Sequence, residues 1–76
     1  MKFNIERWVI IRNDAIWTKK GTNGKFENIN EPLTRPIHFY KTDVHAKKEV
    51  ERMQKWFDGD GAKAVKMLVT LEEINN

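Results

Sequence analysis

The sequence contains no cysteine and no serine among its 76 residues. Disulfide bonds, zinc sites built on thiolates, and catalysis by a serine or cysteine nucleophile are therefore excluded. A chain of this length forms at most one domain, which here spans residues 1–76. A domain this small buries only about 60% of the surface that its unfolded chain exposes. Small domains usually need an additional stabilising device, and self-association is one that remains open to this chain.

Long hydrophobic runs are also missing. The apolar run near the start, Trp8–Ile11, has four residues. It is too short for the hydrophobic segment of a secretory signal and far too short to cross a bilayer. The absence of cysteine fits a chain that stays in a reducing compartment. The sequence therefore predicts a cytoplasmic protein with no membrane partner.

Charge is present in both signs but is unevenly placed. The chain has 14 basic and 11 acidic side chains, which gives a net charge of +3. Residues 1–26 carry six basic and two acidic side chains, whereas residues 27–76 carry eight and nine. A local positive potential attracts nucleic acid or an acidic partner. It also serves simply to keep a strand soluble, which is the commoner use.

Strand-forming residues and turn signals alternate through the first half of the chain. The predicted strands are Ile5–Arg12, Ala15–Lys20, Lys25–Ile29 and Ile37–Lys41. Asn13-Asp14 predicts a two-residue turn, because both residue types tolerate positive φ. A second turn is predicted over residues 21–24, and residues 30–36 contain two prolines that exclude a central strand.

The second half of the chain predicts one helix followed by one strand. Thr42 is a good N-cap, and the helix is expected over residues 43–57. Its apolar side chains recur at spacings of three and four residues, which places them on one face: Ala46, Val50, Met53 and Phe57. Residues 64–71 alternate between apolar and polar side chains and predict a half-buried strand. Residues 72–76 are expected to fray.

The element order β-β-(β)-β-α-β predicts an α+β fold, a small antiparallel sheet of three to four strands packed on one helix. The first strand is apolar on both faces, with Trp8 and Ile10 on one and Val9 and Ile11 on the other. Because one helix covers only one face of a sheet, we expect residues 25–36 or another chain to cover the second.

Residues suited to catalysis or metal binding are sparse. His38, His45 and Asp43 form a weak candidate for a shared metal site, and the alternative is two solvated or hydrogen-bonded histidines. No arrangement of nucleophile, base and acid is apparent. We therefore expect neither an enzyme nor a cofactor, a metal ion or a small-molecule substrate.

The strongest functional signal is the hairpin formed by residues 6–21, in which tryptophans lie between basic residues. Such strands stack bases and hold phosphates in single-strand-binding sheets. The alternative is that Trp8 and Trp17 pack against each other across the hairpin, with the charges at the rim. Trp56 is either a peripheral core residue or an exposed anchor for a partner. The candidate macromolecule-binding residues are Arg12, Trp17, Lys19, Lys20 and Trp56.

The overall pattern resembles the small uncharacterised proteins of phages and prophages of low-GC Gram-positive bacteria. The segments that carry this resemblance are RWVIIRND, FYKT and VKMLVTLEEI, with an amphipathic helix between the last two. The resemblance implies an accessory protein that binds a host or phage macromolecule. The leading hypothesis is therefore a non-enzymatic binding protein that acts by contact with a protein partner or with itself as a homodimer. The alternative is a nucleic-acid-binding module that uses the basic, tryptophan-bearing hairpin.

Overall fold

The computed structural model describes residues 1–56 and 61–74, with the backbone alone at Trp56. Its elements are β1 Lys2–Arg12, β2 Ala15–Lys20, β3 Asn23–Asn28, α1 Asp43–Trp56 and β4 Lys63–Glu72. The four strands form one antiparallel sheet in the order β3-β2-β1-β4. This architecture confirms the predicted α+β fold of one small sheet and one helix.

Two short turns connect the first three strands. Asn13 has a φ of 54° between β1 and β2, which confirms the predicted turn. Gly21 has a φ of 62° between β2 and β3, a left-handed conformation that glycine adopts without steric cost. The second turn is shorter than predicted, because Asn23 and Gly24 already belong to β3 and Gly24 pairs with Lys19.

β1 and β2 separate soon after their turn, and residues 36–40 lie between them. The direct pairing of the two strands is limited to the two residue pairs next to the turn. Beyond it, Trp8 and Tyr40 exchange two backbone hydrogen bonds of 2.8 Å. On the β2 side, the backbone N–H of His38 donates to the carbonyl oxygen of Trp17 at 3.2 Å. The inserted segment thus replaces the missing part of the β1–β2 ladder.

The predicted strand Ile37–Lys41 is therefore wrong as a regular strand. It contributes isolated bridges at Ile37 and Tyr40, one to β2 and one to β1. Because the segment crosses the gap between two strands and follows neither of them, each strand meets it at a single bridge.

The helix packs on the face of the sheet that carries Ile10. The core on this face consists of Ile10, Trp17, Met53 and Ala62, with Phe26, Tyr40 and Val50 packed against it. Ala46 and Met53 are fully buried and Val50 is partly buried, as the helical spacing predicted. Phe57, the last member of the predicted stripe and the predicted end of the helix, lies outside the described residues.

The second face is covered by the chain itself near β2 and β3. Val9 and Ile16 are 1% and 3% exposed, and Glu27 lies opposite Ile16 on the same face. The backbone N–H groups of Thr34 and Arg35 both donate to the Glu27 carboxylate. The sequence left two possible covers for this face, residues 25–36 or another chain. Residues 34 and 35 belong to the first of these, so the chain covers this part of the face with its own loop.

The Glu27 carboxylate is the centre of this cover. Its Oε2 accepts from Thr18 Oγ1 at 2.5 Å and from the Arg35 N–H at 3.2 Å. Its Oε1 accepts from the N–H and the hydroxyl of Thr34 at 2.7 and 2.8 Å. These bonds, the one from Thr18 first, lower the pKa of Glu27 to about 2. The charged form of Glu27 therefore ties the loop to the sheet.

β1 and β4 pair over their whole length, from Lys2–Glu72 to Ile11–Lys63. β1 thus begins three residues before the predicted Ile5. The backbone N–H of Glu73 donates to the Met1 carbonyl oxygen at 3.0 Å. The prediction of a frayed end is therefore wrong for residues 72 and 73, because β1 holds them, and residues 75 and 76 lie outside the described part.

Candidate binding surfaces

The outer halves of β1 and β4 form a two-stranded ribbon, residues 2–7 and 67–72. On one face of this ribbon, Phe3 lies opposite Leu71, and Met67 follows four pairs further along, opposite Arg7. Their side chains are 55%, 52% and 39% exposed, respectively. Large apolar side chains grouped on a surface are characteristic of a site of protein contact.

The outer edge of β4 is a second feature of the ribbon. β4 is the last strand of the sheet, so its outer edge has no strand partner within the described residues. Leu68, on the opposite face from Leu71, is 67% exposed. Charged residues and prolines discourage edge pairing, and residues 67–71 include neither. We call residues 67–72 the β4 edge.

Trp17 lies in the core on the helix face and is 6% exposed. Its ring packs edge-on against Phe26 of β3, with ring centroids 5.1 Å apart and an interplanar angle of 60°. The expected cross-strand pair of Trp8 and Trp17 is wrong, because β1 and β2 diverge and Trp8 lies opposite Lys66 of β4. The burial of Trp17 leaves its ring face inaccessible to a stacked base.

Gly24 makes room for the Trp17 ring. A Cβ at position 24 would lie 2.2 Å from Cζ2 and 2.7 Å from Cη2 of that ring. We therefore expect Gly24→Ala to lower the free energy of unfolding by about 1–3 kcal/mol, the usual range for overpacking. Urea unfolding followed by circular dichroism measures this effect.

The background variant Trp17→Leu provides the control for this steric explanation. Leucine lacks the two ring carbons that a Cβ would meet, so Gly24→Ala is expected to cost much less in that background. An equal cost in both backgrounds would contradict the explanation and assign the effect to the backbone of β3.

The remaining predicted residues are Arg12, Lys20 and Trp56. The Arg12 guanidinium lies 4.4 Å from the centroid of the Phe26 ring, in a cation–π contact. Lys20 is exposed at the end of β2. Trp56 ends α1, and its side chain lies outside the described part of the structure. Of the predicted set, Trp17 and Lys19 are brought together in one cleft.

This cleft lies where β2, β3 and the helix meet and has a volume of about 330 Å³. Besides Gly24, the residues that line it are Trp17, Lys19, Thr22, Asn23, Arg35 and Arg52. We call it the basic cleft, because three of these side chains are cationic. Arrangements of this kind bind anions.

Polar side chains from the inserted segment and the helix border the basic cleft. Arg52 Nε donates to Glu49 Oε2 at 2.9 Å, and this hydrogen-bonded pair lowers the pKa of Glu49. Burial, followed by the nearby Glu49 charge, raises the pKa of Tyr40. The rings of His38 and Tyr40 pack against each other with their centroids 4.6 Å apart. Burial, followed by the nearby Lys19 charge, lowers the pKa of His38. His38 is therefore neutral at pH 7 and adds no positive charge to the cleft.

Sequence reasoning missed Arg35 and Arg52 as cleft residues. Arg35 lies in a segment that the sequence marks only as a loop, and Arg52 falls on the polar side of an amphipathic helix. Each is an ordinary surface position by local pattern. Only the folding of the loop and helix against β2 brings the two arginines to Lys19.

Comparison with known proteins adds no family to these observations. No family model, curated protein or solved structure matches the chain. Within residues 1–56 and 61–74, no helix has the length and apolar character needed to cross a membrane. In the same residues, no three side chains of the histidine, aspartate and glutamate types are grouped as metal ligands would be.

Proposed function

We propose that this chain is a non-enzymatic cytoplasmic accessory protein of phage or mobile-element type that acts by protein–protein contact. The observation that carries the proposal is the β4 edge, whose outer side has no strand partner among the described residues and which has exposed apolar side chains on both faces. Such edges add a strand from another chain, because unpaired N–H and C=O groups form a ready template.

A second copy of the chain is the partner that fits this edge. Two copies of β4 can pair antiparallel about a two-fold axis, and residues opposite each other then share a face. With the axis at Val69, Met67 lies opposite Leu71, and Lys66 lies opposite Glu72, in both halves of the pair. Apolar side chains thus meet apolar ones and unlike charges meet, both of which are favourable cross-strand pairings.

We expect the protein to be a dimer at tens of micromolar, and Leu68→Lys to convert it to a monomer. Leu68 is 67% exposed, so the substitution costs little in the fold of a single copy. At the interface, however, it places two ammonium groups on one face beside the two-fold axis, and their repulsion opposes edge pairing. Sedimentation equilibrium gives the mass of both proteins directly.

Val44→Lys is the matched control, because Val44 is an apolar side chain of α1 that is 54% exposed and does not belong to the β4 edge. It makes the same chemical change and should leave the dimer intact. A monomeric wild-type protein would rule out the second copy as partner. A dimeric Leu68→Lys variant would place the contact on another surface.

Nucleic-acid binding through the hairpin is the second candidate function. The observation in its favour is the basic cleft, in which Lys19 is joined by Arg35 and Arg52. The observation against it is the burial of Trp17, which removes the stacking that gives single-strand-binding sheets much of their affinity. It therefore ranks below protein contact.

A further inference from the structure

The described residues around the basic cleft carry more positive than negative charge. Lys19, Arg35 and Arg52 line it, and the carboxylate paired with one of these cations is that of Glu49. Among the described residues, these three positive charges and one negative charge leave an excess of two at pH 7, since His38 is neutral there. Like charges brought together in this way attract an anion.

Trp17 supplies an independent observation at the same cleft. Its indole N–H is buried and has no hydrogen-bond acceptor among the described residues. A buried donor without an acceptor is costly and rare in folded proteins. An indole N–H only donates, so its missing partner must be an acceptor. A ligand in the cleft that Trp17 lines is one source of that acceptor.

We propose that the basic cleft binds a phosphate group. A phosphate monoester carries about −1.5 to −2 charges at pH 7, which matches the excess of two positive charges. Arginine guanidinium groups offer planar pairs of donors to phosphate oxygens, and lysine adds a point charge. Thr22 and Asn23, on the same lining, add a hydroxyl and an amide donor. A carboxylate, with one charge, would leave half of the excess uncompensated.

The volume of the cleft indicates what carries the phosphate. Sites for small molecules usually measure about 300–1,000 Å³, so about 330 Å³ holds more than a bare ion. A sugar phosphate presents both charges on one monoester, whereas a nucleic-acid strand presents them on two successive phosphodiesters of one charge each. The site shares no residue with the β4 edge, so this proposal stands or fails separately from the proposed function.

The three tryptophans give three indole N–H resonances, and these provide a direct test. Nitrogen–proton correlation NMR spectra of the protein would be recorded while inorganic phosphate, ribose 5-phosphate or an oligothymidylate of twelve nucleotides is added. Sodium chloride keeps the ionic strength constant, and Trp17→Phe identifies the resonance of Trp17. We expect a saturable shift of that resonance with each phosphate probe and a much weaker response to acetate.

Variants connect the shift to the cleft. Lys19→Gln and Arg35→Gln should each weaken binding about tenfold or more, because each removes a charge-assisted hydrogen bond. Arg35→Lys keeps the positive charge but loses the planar guanidinium group. Its affinity for the phosphate probes should therefore lie between that of Arg35→Gln and that of the wild-type protein. Lys20→Gln is the matched control, since Lys20 adjoins Lys19 in sequence but does not line the cleft. It should change the affinity by less than about twofold.

The two sources of phosphate are separated by their relative affinities. Tighter binding of ribose 5-phosphate assigns the cleft to a small phosphorylated ligand, whereas tighter binding of the oligothymidylate, with steep salt dependence, assigns it to nucleic acid. Absence of a saturable shift with every phosphate probe would overturn the proposal. So would an equal loss of affinity in Lys20→Gln, which would show diffuse attraction by net charge. The dispersion of each variant's spectrum verifies that it is folded.

Discussion

Trp17→Ala is expected to lower the free energy of unfolding by about 3–5 kcal/mol, the usual cost of removing a large aromatic side chain from a core. Trp17 is 6% exposed and contacts both the helix-face core and Phe26. Removing it leaves a cavity between the sheet and α1. The β2–β3 hairpin cannot readily close this cavity, because the segment of residues 36–40 holds it apart from β1. Small domains have a total stability of about 5–15 kcal/mol, so the variant should lie close to its unfolding threshold at 25 °C.

Urea unfolding monitored by far-ultraviolet circular dichroism measures this loss. Lys20→Ala, on the same strand but exposed, is the control and should stay within about 0.5 kcal/mol of the wild-type protein. If Trp17→Ala were as stable as Lys20→Ala, the Trp17 ring would have to lie at the surface. That result would then also restore Trp17 as a candidate for base stacking, because stacking requires an exposed face.

The elements of this fold were predictable wherever a local pattern specifies them. Apolar spacing of three and four residues identified α1, and Asn13-Asp14 identified the first turn. The outer half of β1 was not predictable in this way, since Lys2–Asn4 gains its strand conformation from pairing with β4 at the other end of the chain. Pairing partners that distant in sequence leave no local signal.

The candidate site was predictable only in part, for a related physical reason. The alternation of residues along β2 correctly placed Trp17 and Lys19 on one face. It did not show which face the helix covers, and this decides whether the tryptophan is a core residue or a stacking platform. Glu27 illustrates the same limit, because an acidic residue in a short strand is normally exposed. Its burial depends on Thr34 and Arg35, which the fold returns to the sheet.

Glu27 should make the stability of this protein depend on acid in a predictable direction. Its pKa falls from an ordinary 4.5 to about 2 in the folded chain. A carboxyl group whose pKa is lower in the folded than in the unfolded state stabilises the fold fully above the unfolded value. That contribution declines as the pH falls below about 4.5 and is lost by about pH 2.

Glu27→Gln should remove this contribution and, with it, the hydrogen bonds that hold the loop. A glutamine side chain has one oxygen that accepts and one amide NH2 group that only donates. The Thr34 and Arg35 N–H groups each require an acceptor, and they bond different oxygens of Glu27. One partly buried N–H therefore faces another donor, and the free energy of unfolding at pH 7 falls. Urea unfolding at steps from pH 7 to pH 2 should show the difference from wild type shrinking as Glu27 protonates. Glu31→Gln, an exposed position in the same loop, is the control, and a difference that stays constant across this range would mean that another group carries the acid dependence.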